Sequence, residues 1–214
     1  MGKRIFSLSV FVFLVLPVFV FAHQPRLVED NFTLIKNPEV SQAFYGELKG
    51  VTVFYKIQTE NPIKLYVGVL VPAVENIDKD VSVEIEREED FYYLLDGINF
   101  DWELFYEEFA GDDYFKGPEF STDVEAGEYN IKVFSPDNFG KYVLVVGEKE
   151  EFPFNEMINT LVNLPSLKKF FDKSPWQAFL APIVLRFLVL PILFLGALAF
   201  VAYYLIVKKK KVKK

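Results

Sequence analysis

Gly127-Glu128-Tyr129-Asn130-Ile131-Lys132-Val133, then the turn Ser135-Pro136-Asp137-Asn138-Phe139-Gly140, then Lys141-Tyr142-Val143-Leu144-Val145-Val146, is the stretch that decides the fold of this chain. Tyr129, Ile131 and Val133 fall on one side of an extended backbone, and Glu128, Asn130 and Lys132 on the other. That period of two belongs to a strand with one face buried and one wet. The Pro, Asp, Asn and Gly between the two runs are residues that turns select, so the pair reads as a hairpin.

The same alternation extends upstream, over roughly residues 42 to 147. Val51, Val53, Tyr55 and Ile57 share a face, as do Leu65, Val67, Val69 and Val71, and as do Val81, Val83 and Ile85. Lys49-Gly50, Glu60-Asn61-Pro62 and Glu125-Ala126-Gly127 punctuate them. Six to eight half-buried strands predict a mainly β chain, with antiparallel sheets packed as a β-sandwich over residues 23–150.

Between Asp96 and Phe120 the pattern breaks. Residues 100–109 suit a short helix or an aromatic-rich loop, and Gly111-Asp112-Asp113-Tyr114-Phe115-Lys116-Gly117-Pro118 is dense in turn formers. An insertion of this length is a packed cap or a binding loop. Trp102, Phe105, Tyr106, Phe109, Tyr114 and Phe115 are its rings. If exposed, they form a platform for a sugar or peptide, with Trp102, Tyr106 and Tyr114 as the candidate ligand-binding residues.

Downstream of Gly147 the period becomes helical. Phe154, Met157, Ile158, Leu161 and Val162 lie at i, i+3, i+4, i+7 and i+8, and Pro165 is expected to end the helix. This amphipathic segment, residues 151–182, either lies in a membrane interface or packs on the sandwich.

The ends carry topology. Lys3 and Arg4, an apolar run and Val20-Phe21-Ala22 read as a secretory signal over residues 1–22. Phe187 to Val207 is 21 residues without a charge, inside a transmembrane helix read at 183–207. Six lysines then close the chain in a basic tail, residues 208–214, which the positive-inside rule keeps cytoplasmic. The expected protein is therefore single-pass, in the cell membrane, with its large domain outside the cytoplasm.

All 30 acids fall between residues 23 and 180, against 14 of the 23 Lys and Arg, a net of −16. Such a domain repels a phosphate backbone, so nucleic acid is excluded as a partner. The lipid bilayer is one expected partner, and another envelope protein or a glycan is a second.

Cysteine is absent and His23 is the one histidine, which removes disulfides, thiol nucleophiles and sites needing two imidazoles. A Ser or Thr nucleophile lacks a base other than His23, and pairs such as Glu107-Glu108 are expected by chance in so acidic a stretch. The chain reads as no enzyme, with no cofactor and no assigned metal site. The alternative is a copper- or calcium-handling envelope protein, using His23 at the signal exit and acidic loop residues at Asp96-Gly97-Ile98-Asn99-Phe100-Asp101 or Asp112-Asp113.

The hairpin quoted at the outset resembles the end of pre-peptidase C-terminal or GOLD-type β-sandwiches, where a G-x-Y-x-(I/V)-x-V strand pairs with a G-x-Y-x-L-x-V strand. Ala22-His23-Gln24-Pro25-Arg26, Tyr45-Gly46-Glu47-Leu48-Lys49-Gly50, Tyr114-Phe115-Lys116-Gly117-Pro118-Glu119 and Lys173-Ser174-Pro175 resemble a family of uncharacterised bacterial envelope proteins. That resemblance implies a secreted domain with one C-terminal span and brings no site residues. The function expected is presentation of an acidic sandwich for non-catalytic recognition or assembly.

Overall fold

A computed structural model describes residues 23–87, 91–108, 110–151 and 153–212. The signal sequence read at residues 1–22 lies outside them. Eleven strands in the described residues form two sheets. Strands β1 (Gln24–Leu27), β3 (Gln42–Lys49), β11 (Phe139–Val146), β5 (Ile63–Pro72), β9 (Asp112–Val124) and β8 (Glu103–Glu107) run side by side in that order in the first. The second holds β2 (Phe32–Ile35), β4 (Val53–Thr59), β10 (Gly127–Phe134), β6 (Ser82–Arg87) and β7 (Phe91–Leu95), again in spatial order. The chain is mainly β, with two sheets, as the alternation predicts.

The alternating residues meet between the sheets. Leu65, Val67, Val69, Tyr142 and Leu144 from one side and Tyr55, Ile57, Ile85, Tyr129 and Ile131 from the other are fully buried in one cluster. Both tyrosines of the decisive hairpin have satisfied hydroxyls. Tyr142 is hydrogen-bonded to the Tyr55 hydroxyl at 2.8 Å, and Tyr129 donates to the Glu125 carbonyl at 2.8 Å. Tyr142 fits because Gly46 is its cross-strand partner: a Cβ there would lie 2.5 Å from the ring.

Pairing is not wholly antiparallel. β1 runs parallel to β3 and β2 parallel to β4. The chain alternates sheets at its start (β1, β2, β3, β4), so each return to a sheet arrives in the same direction as the strand it joins.

A third layer covers the outer face of the first sheet. Helix α1 (Phe154–Phe170) buries Thr160, Leu164, Leu167 and Lys168, and Phe171 follows on the same side. The Phe171 ring stands edge-on to Tyr114 at 4.9 Å, and Phe170 to Tyr45 at 5.4 Å. This layer explains why β11 ends in five consecutive buried residues whereas β10 alternates: the first sheet is covered on both faces. Each fully buried Leu or Phe of this interface contributes about 1.5–3 kcal/mol of apolar burial. The helix therefore belongs to the same compact unit as the sandwich, which runs to Ala178.

Two details of α1 differ from the sequence reading. The helix continues through Pro165, because continuing seats Leu167, Lys168 and Phe171. Its buried stripe is Thr160, Leu164, Leu167 and Phe171, while Phe154, Ile158 and Val162 of the predicted stripe face outward.

Residues from Phe179 onward belong to a second unit. It holds a helical turn at Pro182–Val184, a π-helical turn at Leu185–Val189 and helix α2 (Leu190–Val212). Among the described residues, no helix is long and apolar enough to cross a membrane.

Candidate functional site

The stretch read as helix or loop is a strand. β8 pairs antiparallel with the first half of β9, Glu103 opposite Lys116 and Glu107 opposite Asp112. The connecting turn closes where the Glu107 carboxylate accepts from the Ala110 amide at 2.8 Å and its carbonyl accepts from the Gly111 amide at 3.0 Å. Gly117 and Pro118, turn signals in the sequence, instead form a β-bulge. Gly68 is opposite Glu119 but Leu70 is opposite Lys116, so one residue of β5 faces two of β9. A bulge tolerates the missing proline N–H.

The structure separates the three rings proposed as a platform. Trp102 is half-buried, its indole N–H donating to the Gly97 carbonyl at 2.8 Å, its six-membered ring so close to Gly117 that a Cβ there would be 2.5 Å away. It closes the end of the core, with Phe115 packed nearby against the same cluster. Tyr114 is buried under α1, its hydroxyl bonded to that of Tyr45 at 2.8 Å, and burial pushes both phenols well above their ordinary pKa. A ring with no exposed face offers none to a ligand. Tyr106 alone of the three stands in solvent, 52% exposed, beside Leu104 at 68%. Phe109 lies outside the described residues.

β8 is also the last strand of its sheet among the described residues. Leu104 and Tyr106 occupy one of its faces, Glu103, Phe105 and Glu107 the other, and all but Glu107 are exposed. Between this strand and β7 opens a cleft of about 550 Å³, lined by Tyr93, Asp96, Phe100, Glu103, Lys116 and Glu119. Lys116 is ion-paired to Glu119 at 2.8 Å, and with a hydrogen bond from Tyr66 this holds the Glu119 carboxyl below its usual range. The arrangement is an apolar, acid-rimmed strand edge beside an open groove.

Two of the acidic residues considered as metal ligands, Asp96 and Asp112, are otherwise engaged. Asp96 accepts from the Ile98 amide at 3.0 Å and from the Asn99 side chain at 2.7 Å, which builds its own turn. Asp112 is fully buried and accepts from Lys168 at 2.7 Å and Lys173 at 2.8 Å, while Lys168 also donates to the Ala110 carbonyl at 2.7 Å. This ion cluster ties α1 to the turn end of the β8–β9 hairpin. Sequence reading made Asp112 a loop acid and candidate cation ligand; the signal of its burial was Lys168, a lysine at i+4 from Leu164 on what proves to be the packed stripe. Among the described residues no group of three or more His, Asp or Glu is placed to hold a metal.

His23 does meet a serine, its Nδ1 bonded to the Ser41 hydroxyl. Ser41 is buried, and the cavity beneath α1 that His23 lines with Tyr114 and Thr160 measures only about 20 Å³. That volume accommodates a water, not a substrate. Burial pushes the imidazole down to about 4, so the ring is neutral near pH 7 and the pair positions the start of β1.

No protein-family model and no curated protein matches the chain. Among solved structures, the pre-peptidase C-terminal domain of collagenase from Bacillus anthracis is similar at a TM-score of 0.32 and 12% identity, over 58% of this chain and 95% of that one. A ruminal GH26 endo-beta-1,4-mannanase aligns at 0.28 and 12%, over 52% of this chain and 20% of its own. A beta-glucosidase from Paenibacillus barengoltzii aligns at 0.24 and 12%, over 58% and 13%. Likeness at these scores carries no argument about function, and the sandwich rests on its own sheet topology.

Proposed function

We propose that this chain is a membrane-anchored envelope protein that holds an acidic β-sandwich outside the cytoplasm for non-catalytic recognition, with contact made at the free edge of β8. The observation that carries the reading is that edge: a strand paired on one side only, with β9, among the described residues, and with exposed apolar side chains on both faces. Natural sheets usually blunt such edges, because the unpaired N–H and C=O groups invite another strand. Strand addition satisfies those groups directly, so the edge suits an extended segment of another envelope protein better than a glycan.

Anchoring is supported by the C-terminal run. α2 contributes 18 uncharged residues, Leu190 to Val207, about 27 Å of helix at 1.5 Å per residue. Among the described residues no single helix is long and apolar enough for a span, but Val184 and Leu190, flanking the π-helical turn, both have helical dihedrals, so successive helical turns cover the uncharged run Phe187 to Val207, about 31 Å in total. A hydrocarbon core is about 30 Å thick. Ile192, Leu193, Leu195 and Phe200 are exposed around this helix, a pattern that water disfavours and lipid accepts.

The test is a photo-activatable residue placed at Leu104 or at Gln58, an exposed position of β4, in the full chain in intact cells. A discrete adduct from position 104 and none from 58 is expected, with externally added protease removing it. Equal labelling from both positions, or none from 104, overturns the recognition site; a protease-protected sandwich overturns the orientation.

A further inference from the structure

α1 is apolar on two sides. One side packs on the sheet, and the opposite side presents Phe154 at 72%, Ile158 at 43% and Val162 at 71% exposure. These lie at i, i+4 and i+8, with Pro165 and the exposed Lys169 continuing the same row. No acid stands in that row. The one acid of the helix, Glu156, is ion-paired to Arg26 at 2.8 Å. In a domain of 30 acids against 14 bases, an outward face of apolar residues ending in a lysine is an exception to the surrounding surface.

We propose that this outward face of α1 lies in the lipid interface, its apolar row among the upper acyl chains and Lys169 among anionic headgroups. The inference rests on the anchoring read above. Charge and chain continuity select lipid as the occupant. Lys169, the near end of the row, precedes Phe187, where the uncharged run begins, by 18 residues, so at most about 65 Å of extended chain separates the two. The connecting segment itself exposes Trp176, a residue type enriched at membrane interfaces, with Phe179 and Leu180, which add apolar area that lipid can bury. Apolar area to bury, no acid for the headgroups to repel and a lysine at the end of the row are what in-plane contact with an anionic bilayer draws on.

The absence of cysteine from the sequence makes the test clean. Ile158→Cys, Val162→Cys, Gln58→Cys and Ile192→Cys variants of the full chain carry a nitroxide and are reconstituted in vesicles of phosphatidylcholine with phosphatidylglycerol. Collision with oxygen, which partitions into lipid, is compared with collision with a water-soluble nickel chelate. Labels at 158 and 162 are expected to favour oxygen, as at 192, while the label at 58 favours nickel. Nickel-favouring labels at 158 and 162 with an oxygen-favouring label at 192 overturn the proposal and leave the anchor standing. A nickel-favouring label at 192 overturns the anchor and the proposal with it. Labels at 158 and 162 shielded from both colliders mean that protein covers the face, which also overturns lipid as its occupant.

Discussion

Asp112 shows how one carboxylate holds two elements in place. Each oxygen takes one ammonium, and Lys168, itself buried, has only Asp112 and the Ala110 carbonyl as partners among the described hydrogen bonds. Asp112→Asn leaves a buried ammonium without its counter-charge, and breaking a buried pair from one side costs about 3–5 kcal/mol. Urea unfolding of the detergent-solubilised chain should show a loss of that order; a loss under about 1 kcal/mol would mean that water reaches the cluster. His23 supplies a pH dependence. Its pKa is about 4 in the fold against an ordinary 6.5, so the unfolded chain binds the extra proton between those values. Its contribution is full above pH 6.5 and fades as pH falls toward 4. Relative to His23→Gln, the native chain should lose stability over that window, and parallel curves for the two would refute a buried neutral imidazole.

At the scale of elements, α1 tolerates a proline for the sake of its packed face. Pro165 cannot donate to the Leu161 carbonyl, and a proline within a helix costs roughly 3 kcal/mol against alanine. Pro165→Ala should raise the unfolding midpoint, with a gain on the order of 1–3 kcal/mol, whereas a drop would show that the local bend is needed to seat Leu167 and Phe171. The helix also marks what patterning conveys and what it omits. β4 and β10 are legible because each alternates cleanly over one buried face, and β5 and β6 because their large apolar residues still recur at every second position. β8 is illegible because its side chains face solvent on both sides, so no period survives, and it exists by pairing with β9. Gly117-Pro118 reads as a turn because a bulge uses the same residues. The helical period of α1 was visible, but two apolar rows compete in it, and only the sheet beneath selects Leu164 and Leu167.

For the molecule as a whole, composition reveals the acidic centre and apolar ends, while the candidate site emerges from topology alone. Tyr106 is exposed, as the sequence reading asks of a recognition ring, yet Tyr114, eight residues on, is core, since the hairpin folds it under α1. The strand order carries one more consequence. β10 lies between β4 and β6, and β11 between β3 and β5, so the last two strands to emerge occupy interior places in both sheets. A chain emerging from its N-terminus cannot complete the second sheet before residue 134 is free, nor the first before residue 146. Until then only partial sheets can pair, β1 with β3, β9 with β5 and β8, β2 with β4, and β6 with β7, and the sandwich closes only once its last two strands have arrived.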